Sequence, residues 1–367
     1  MVTDGYTIEY EDKINTSCDK KINEYLEILP AYCSSFIQHK IETTQPRTRL
    51  AYVSDIHLFL SFLKNNNPSL KEIEIKDISL ETLEQLNVND FDEYLIYLSK
   101  YVDDNKNIHE NSRSSKKRKL SSLKSFFSFL FNRDYISTNP CAKVDMPKLP
   151  RKDSSKIRIL EDYERPLLFD LLEQELDNAI SEMENQEKPS PRIQKKPAIV
   201  QRDITIICLL LSTGIRVSEL CAINVSDINF ELNRINIIRK GGFYDDIYFS
   251  DEVKDLLYKY IQEYRPVLSP NFQNVDALFI SSQHQRITTR SIEKMLKAYT
   301  TKALGDKNGI TPHKLRATFG TNYYKMTGDL NATKQVLGHS SIEVTSKYYT
   351  KTDESAKLNM KNMKLES

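Results

Sequence analysis

The chain has no long hydrophobic run: among its 367 residues, no uninterrupted apolar stretch approaches the roughly 20 residues that a membrane-spanning helix requires. Its N-terminus, Met1-Val2-Thr3-Asp4-Gly5, lacks the basic flank and apolar core of a secretory signal. Both absences lead us to expect a cytoplasmic protein with no membrane association. A mean hydropathy of −0.52 fits a globular fold with a polar surface. Cysteine is sparse and odd in number: Cys18, Cys33, Cys141, Cys208 and Cys221 show no close pairing pattern. Cys208 and Cys221 flank apolar helical residues and are expected to fill a core rather than bind metal. An excess of positive charge is also missing, since 52 Lys and Arg against 51 Asp and Glu leave a net charge of +1. That balance argues against a uniformly basic nucleic-acid binder, although steering depends on local patches that a sum conceals. One such patch is the run Arg113, Lys116, Lys117, Arg118, Lys119 and Lys124, set against an acidic start at Asp4, Glu9, Glu11 and Asp12. Alone, this run reads equally well as a solvated helix face.

What is present lies mostly in the second half. Arg216, Lys240, His313, Arg316, His339 and Tyr348 each sit in a short pattern: Gly214-Ile215-Arg216-Val217-Ser218-Glu219-Leu220, Arg239-Lys240-Gly241-Gly242, His313-Lys314-Leu315-Arg316, and Leu337-Gly338-His339 followed by Tyr348. These side chains are the parts that metal-free phosphodiester chemistry needs: planar cations for the non-bridging oxygens, a nucleophile, and proton-handling groups. Singly, each has a bland reading. Arg216 beside Glu219 is a surface ion pair, His313 and Arg316 share a helix face by chance, Gly338 is a left-handed helix cap, and Tyr348 is one of 20 tyrosines. The conjunction and the order, within about one domain's length, overturn those readings.

The order and wording of these patterns resemble the tyrosine recombinases (integrases), whose signature runs Arg, Lys, His-x-x-Arg, His, Tyr. The resemblance is continuous from Arg202-Asp203 to Tyr349 and extends to the N-terminal half, in Thr48-Arg49-Leu50-Ala51-Tyr52 and in Leu120-Ser121-Ser122-Leu123-Lys124-Ser125-Phe126-Phe127. Within the family it is most similar to the Xer recombinases of the single-recombinase streptococcal and lactococcal kind, in Leu29-Pro30-Ala31-Tyr32, Ile238-Arg239-Lys240-Gly241-Gly242, Ser291-Ile292-Glu293-Lys294-Met295 and Thr311-Pro312-His313-Lys314-Leu315-Arg316.

The expected fold is mainly α, in two domains: an all-helical N-terminal core-binding domain (1–146) and a mostly helical catalytic domain (159–367) with a small antiparallel β-sheet. Pro147, Pro150 and Ser154-Ser155 interrupt the apolar pattern between them, which reads as a linker over 147–158. Amphipathic stretches predict helices over 20–36, 47–64, 90–100 and 116–132, with Leu50, Val53, Ile56, Leu60 and Leu63 as core. In the second domain, 160–181 reads as helix and 185–196 as an exposed, mobile loop. The stretches 204–211 and 217–223 read as helices joined at Thr213-Gly214, and 234–249 as a hairpin carrying Lys240 at its tip. From Ser291 the chain reads as helical, broken at 305–312 and at Gly338, with Ser340 or Ser341 capping a short helix that bears Tyr348.

The resemblance implies that Tyr348 attacks to give a 3′-phosphotyrosyl enzyme, with Arg216 and Arg316 on the phosphate, His313 as base, Lys240 as general acid and His339 as a hydrogen-bond donor to the phosphate. Glu219 supports this network. The family spacing from His339 selects Tyr348 over its neighbour Tyr349. No cofactor, metal or ATP is expected. The implied partners are double-stranded DNA with a short near-palindromic site, three further copies of the chain in a homotetramer on two sites, and a DNA translocase as regulator. The tail Ser355–Ser367 would make the contact between protomers, and the implied location is the nucleoid. The basic run Arg113–Lys124 resembles a helix that lies against DNA, touching phosphates rather than reading bases. The function expected is resolution of chromosome dimers. An integrase of a mobile element is a second reading, for which Met1 to Asp19 is short of the usual arm-binding domain. A catalytically silent DNA-binding regulator is a third.

Overall fold

The computed structural model describes residues 4–103, 106–149, 158–239, 242–269, 276–305 and 309–338. Two compact units emerge, one formed by Tyr10–Lys152 and the other by Asp153–Ser367 with Met1–Glu9. Residues 150–157 of the expected linker lie outside the described residues.

The first unit contains α1 (Asp4–Leu26) from Tyr10 onward, α2 (Ala31–His39), α3 (Pro46–Asn66), α4 (Leu80–Glu84), α5 (Val88–Tyr97), β1 (Lys100–Val102), β2 (Ile108–Glu110) and α6 (Arg113–Asn132). The single helix expected over 20–36 is two, because Pro30 supplies no backbone N–H and holds Leu29 out of helical geometry; Pro30 itself caps α2 at φ −58°, ψ 151°. In α3 the spacing of Val53, Ile56, Leu60 and Leu63 puts all four in the core, while Leu50 is half-buried. Phe59 is the hub of that core, stacked on Phe91 at 5.3 Å and edge-on to Tyr94 at 5.0 Å.

One buried charge is built in. Asp55 of α3, 1% exposed, accepts hydrogen bonds from Arg118 at 2.6 and 2.8 Å, from Lys119 at 3.2 Å and from Ser122 at 2.7 Å. This unit is helical as expected apart from the antiparallel pair β1–β2, in which Val102 faces Ile108. Asp103 closes that hairpin, accepting from the Asn107 backbone at 2.8 Å and meeting His109 Nε2 at 2.8 Å. Strands of three residues are too short for alternation to show against the helical pattern that leads into them.

The second unit contains α7 (Glu164–Glu184), α8 (Pro191–Thr213), α9 (Val217–Ala222), β3 (Ile228–Asn229), β4 (Arg234–Ile238), β5 (Tyr244–Tyr248), α10 (Asp251–Lys259), α11 (Arg265–Leu268), α12 (Thr289–Leu304), α13 (Pro312–Thr327) and α14 (Leu330–Leu337). Helix α8 is the axis, packing against α7, α10, α11 and α13. Val200, Ile204, Ile206, Ile207, Leu209 and Leu210 bury it on nearly every side, as befits a helix that is apolar all round. The loop expected over 185–196 shrinks to 185–190, because Pro191 takes the first helical position, where its missing N–H costs nothing. Pro197 sits inside the helix, buried, and the packing of α8 overrides its breaking tendency.

The sheet runs β3-β4-β5, antiparallel throughout, with Ile235 opposite Ile247 and Ile237 opposite Asp245. Ile235 and Ile237 point inward and Asn236 outward, the alternation of a half-buried strand. Among the described residues no helix is long and apolar enough to cross a membrane.

Candidate active site

Four elements of the second unit converge where α8 ends. Gly214 closes α8 in the left-handed region at φ 61°, its N–H bonded to Leu210 O at 3.1 Å. A Cβ here would also stand 2.3 Å from Cδ1 of Phe319, so glycine is required by conformation and by space. The turn delivers Arg216 to the start of α9. Glu219, whose side chain is 4% exposed, reaches back to the Arg216 backbone N–H at 2.9 Å and accepts from Arg216 Nη1 at 2.7 Å. The next residue but one on α9, Cys221, is a buried thiol pushed up to about 12 by its burial, which removes it as a nucleophile at neutral pH.

Helix α13 contributes Arg316, 5% exposed, whose Nη1 donates to Gly214 O at 2.6 Å. Thr311 caps this helix, accepting from Lys314 N at 3.4 Å, and Pro312 occupies its first position. His313 therefore stands exposed in the first turn, three residues before Arg316 on the same face.

The arginines meet at the far end of α14. Arg316 Nη2 donates to Leu337 O, and Arg216 Nη2 donates to Gly338 O at 2.9 Å. Arg239, at the end of β4, donates from Nη2 to Val336 O at 3.1 Å. Three guanidiniums thus cover three successive carbonyls at a helix C-terminus, where those groups lack helical partners and carry partial negative charge. Gly338 ends α14 at φ 58°, the left-handed cap read from Leu-Gly-His. Arg239 also reaches Glu219 Oε2 at 3.2 Å and Asp245 Oδ2 at 2.8 Å. The cluster sets three cations against two carboxylates, a positive surplus suited to an anion.

The structure accordingly brings together Arg216, Glu219 and Arg316, which lie up to 100 residues apart in sequence, and places His313 on the helix that carries Arg316. Lys240, His339 and Tyr348 lie outside the described residues, as do Tyr349, Ser340, Ser341 and the tail Ser355–Ser367. Arg239 was not singled out from the sequence, although alternation through Ile235 and Ile237 puts it on the inward face, an unusual place for an arginine.

In the first unit, the basic run lies on α6. Arg113 is exposed in its first turn, and Lys117 is half-buried. Lys116 donates to Ser99 Oγ at 2.5 Å, Lys124 to Cys141 O and Ala142 O at 3.0 and 3.1 Å, and Arg118 and Lys119 engage Asp55. Lys119, 13% exposed, is largely committed to that pair, whereas Arg118 keeps 51% of its side chain exposed.

Comparison with known proteins agrees with this architecture. Residues 171–355 match the phage integrase family, and residues 29–146 match the phage integrase SAM-like domain. Tyrosine recombinase XerC of Leptospira interrogans is 29% identical over 348 residues, covering 94% of this chain and 92% of that protein. Tyrosine recombinase XerS of Streptococcus equi subsp. equi is 30% identical over 348 residues, covering 89% and 94%. The solved XerH site-specific recombinase, bound to a palindromic difH substrate, aligns with a TM-score of 0.60 at 18% identity over 94% of this chain and 89% of that one, a likeness of fold. The chain belongs to the phage integrase family. As an enzyme it is a tyrosine site-specific recombinase, similar to both XerC and XerS.

Proposed function

We propose that this enzyme cleaves and rejoins double-stranded DNA at a short, near-palindromic site through a 3′-phosphotyrosyl intermediate, and that its task is the resolution of chromosome dimers. Tyr348 attacks the phosphorus through its phenolic oxygen, and the bond to the 5′ oxygen breaks. With an ordinary phenol pKa of about 10, Tyr348 must lose its proton during attack, and His313 takes it. Lys240 protonates the departing 5′ oxygen. Arg216 and Arg316 bind the non-bridging oxygens and stabilise the charge that builds on them in the transition state. The phosphotyrosine conserves the phosphodiester's energy, so the reverse attack by a 5′-hydroxyl reseals the strand without ATP.

The observation that carries this reading is the convergence of Arg216 and Arg316 on the two carbonyls that immediately precede His339. Those carbonyls would serve a structural pair equally; what favours a phosphate is the surplus of three guanidiniums over two carboxylates in the cluster, next in sequence to His339. Exchange between two duplexes then requires a tetramer, and the exposed cations of α6 would bind backbone phosphates. The similarity to XerC and XerS favours the chromosomal role over that of a mobile-element integrase.

Covalent capture tests it. Fragmented host DNA is incubated with the full chain, quenched in detergent, and the protein-linked fragments are sequenced. Recovery of one near-palindromic chromosomal sequence supports the reading. Linked fragments confined to the ends of a mobile element would favour the integrase, and tight binding without any linkage would favour the silent regulator.

A further inference from the structure

We propose that Arg239 is a positioning residue of the cleavage site, holding the end of β4 that runs into Lys240 in register with the end of α14 that runs into His339. The inference rests on the recombinase reading above and extends it to a residue which that reading leaves unused.

The side chain of Arg239 is 10% exposed, yet it is satisfied by three separate segments: Asp245 on β5 at 2.8 Å, Glu219 on α9 at 3.2 Å, and Val336 O at the end of α14 at 3.1 Å. Its backbone is fixed as well, with Arg239 N donating to Phe243 O at 2.7 Å and Gly242 N donating to Arg239 O at 3.0 Å. The chain of α14 passes directly against it, since a Cβ at Gly338 would stand 3.1 Å from both Nε and Cζ of Arg239. The planar fork serves these three acceptors from three separate nitrogens, Nε, Nη1 and Nη2, whereas a lysine's three N–H groups all start from one nitrogen.

The sequence neighbours of these contacts are what give the knot its meaning. Arg239 immediately precedes the proposed general acid, Gly338 immediately precedes the proposed phosphate donor His339, and Glu219 holds Arg216. One guanidinium therefore ties together the chain segments that bear three proposed catalytic groups. Proton transfer to the 5′ oxygen depends steeply on placement, and a displacement of about 1 Å costs on the order of 100-fold in rate.

A leaving-group substitution separates positioning of the acid from general damage. A 5′-bridging phosphorothiolate departs as a thiolate, which needs no proton. The substrate is a nicked duplex carrying the captured site, made with oxygen or with sulfur at the scissile 5′ position. Lys240→Ala should cleave the oxygen substrate slowly and the sulfur substrate near the wild-type rate. Arg239→Ala is expected to do the same, losing on the order of 100-fold on oxygen and recovering to within about tenfold of wild type on sulfur. Asp245→Asn, which alters an acceptor that is 43% exposed and leaves the rest of the knot in place, should show a smaller defect with the same recovery.

An Arg239→Ala enzyme that is equally slow on both substrates, or unimpaired on both, overturns the inference, provided Lys240→Ala is rescued. If Arg239→Ala does not fold, Asp245→Asn decides alone by the same criterion. Should Lys240→Ala itself fail to be rescued, or no covalent site be captured at all, the underlying reading of Lys240 is what fails, and the inference falls with it.

Discussion

Replacing Glu219 with glutamine keeps the side chain's shape and removes its charge, in a pocket of donors that only a carboxylate can satisfy. One carboxylate oxygen accepts from Arg216 Nη1 at 2.7 Å; the other accepts from the Arg216 backbone at 2.9 Å and from Arg239 Nη1 at 3.2 Å. A glutamine has one acceptor oxygen, so in either amide orientation its NH2 group faces a donor. The site is 4% exposed, and water cannot replace what is lost. Breaking one side of a buried ion pair costs about 3–5 kcal/mol. For a unit of this size each kcal/mol lowers the melting temperature by roughly 2–4 °C, giving a fall of roughly 6–20 °C. Calorimetry on the full chain measures it, alongside cleavage of a nicked duplex carrying the captured site. We expect the second unit to melt earlier and cleavage to fall with it. A Glu219→Gln protein that melts within about 2 °C of wild type, a loss of no more than about 1 kcal/mol, would show that the carboxylate is not holding the two arginines.

Other substitutions probe separate parts of the account. Gly214→Ala must place a side chain at φ 61° and displace the Phe319 ring, a combined cost of about 2–5 kcal/mol that urea unfolding would register. Asp55→Ala removes the buried carboxylate shared by Arg118, Lys119 and Ser122 beneath α6, and the first unit should lose about 3–5 kcal/mol by the same assay. Asp103 titrates at about 2, held below its ordinary 3.8 first by the hydrogen bond from His109 and next by the Asn107 N–H. Because its carboxyl is depressed in the folded state, its contribution to the β1–β2 hairpin is complete above about pH 4 and is lost as the pH falls through about 2. Carbon-detected NMR of that carboxyl checks the value, and a midpoint near 4 would contradict it.

Much of the site was legible because its marks are local. Gly214 and Gly338 stand at the left-handed positions where helices end, the alternation from Arg234 to Phe249 reads as a hairpin, and the break over 305–312 precedes the helix that carries His313 and Arg316. The spacing of Val53, Ile56, Leu60 and Leu63 likewise gave the core face of α3. The features that escaped depend on contacts between distant segments. Nothing near Arg239 in sequence says that Val336 O and Glu219 will reach it, and nothing near Lys119 says that Asp55 lies beneath it. Burial also outvotes local propensity: Pro197 has a helix breaker's chemistry yet does not break α8, which packs on nearly all sides. Pro30 acts in the opposite direction, dividing a stretch whose apolar periodicity runs straight through it.

The central claim is that Tyr348 is the nucleophile of a phosphotyrosyl reaction whose charges are supplied by side chains. The most direct measurement is covalent trapping on a nicked duplex carrying the captured site, in EDTA and without ATP, comparing wild type with Tyr348→Phe and Tyr349→Phe. Wild type and Tyr349→Phe should each give a covalent protein–DNA band, and Tyr348→Phe none despite undiminished DNA binding. A band that persists in Tyr348→Phe, or one that vanishes in EDTA, would contradict that claim.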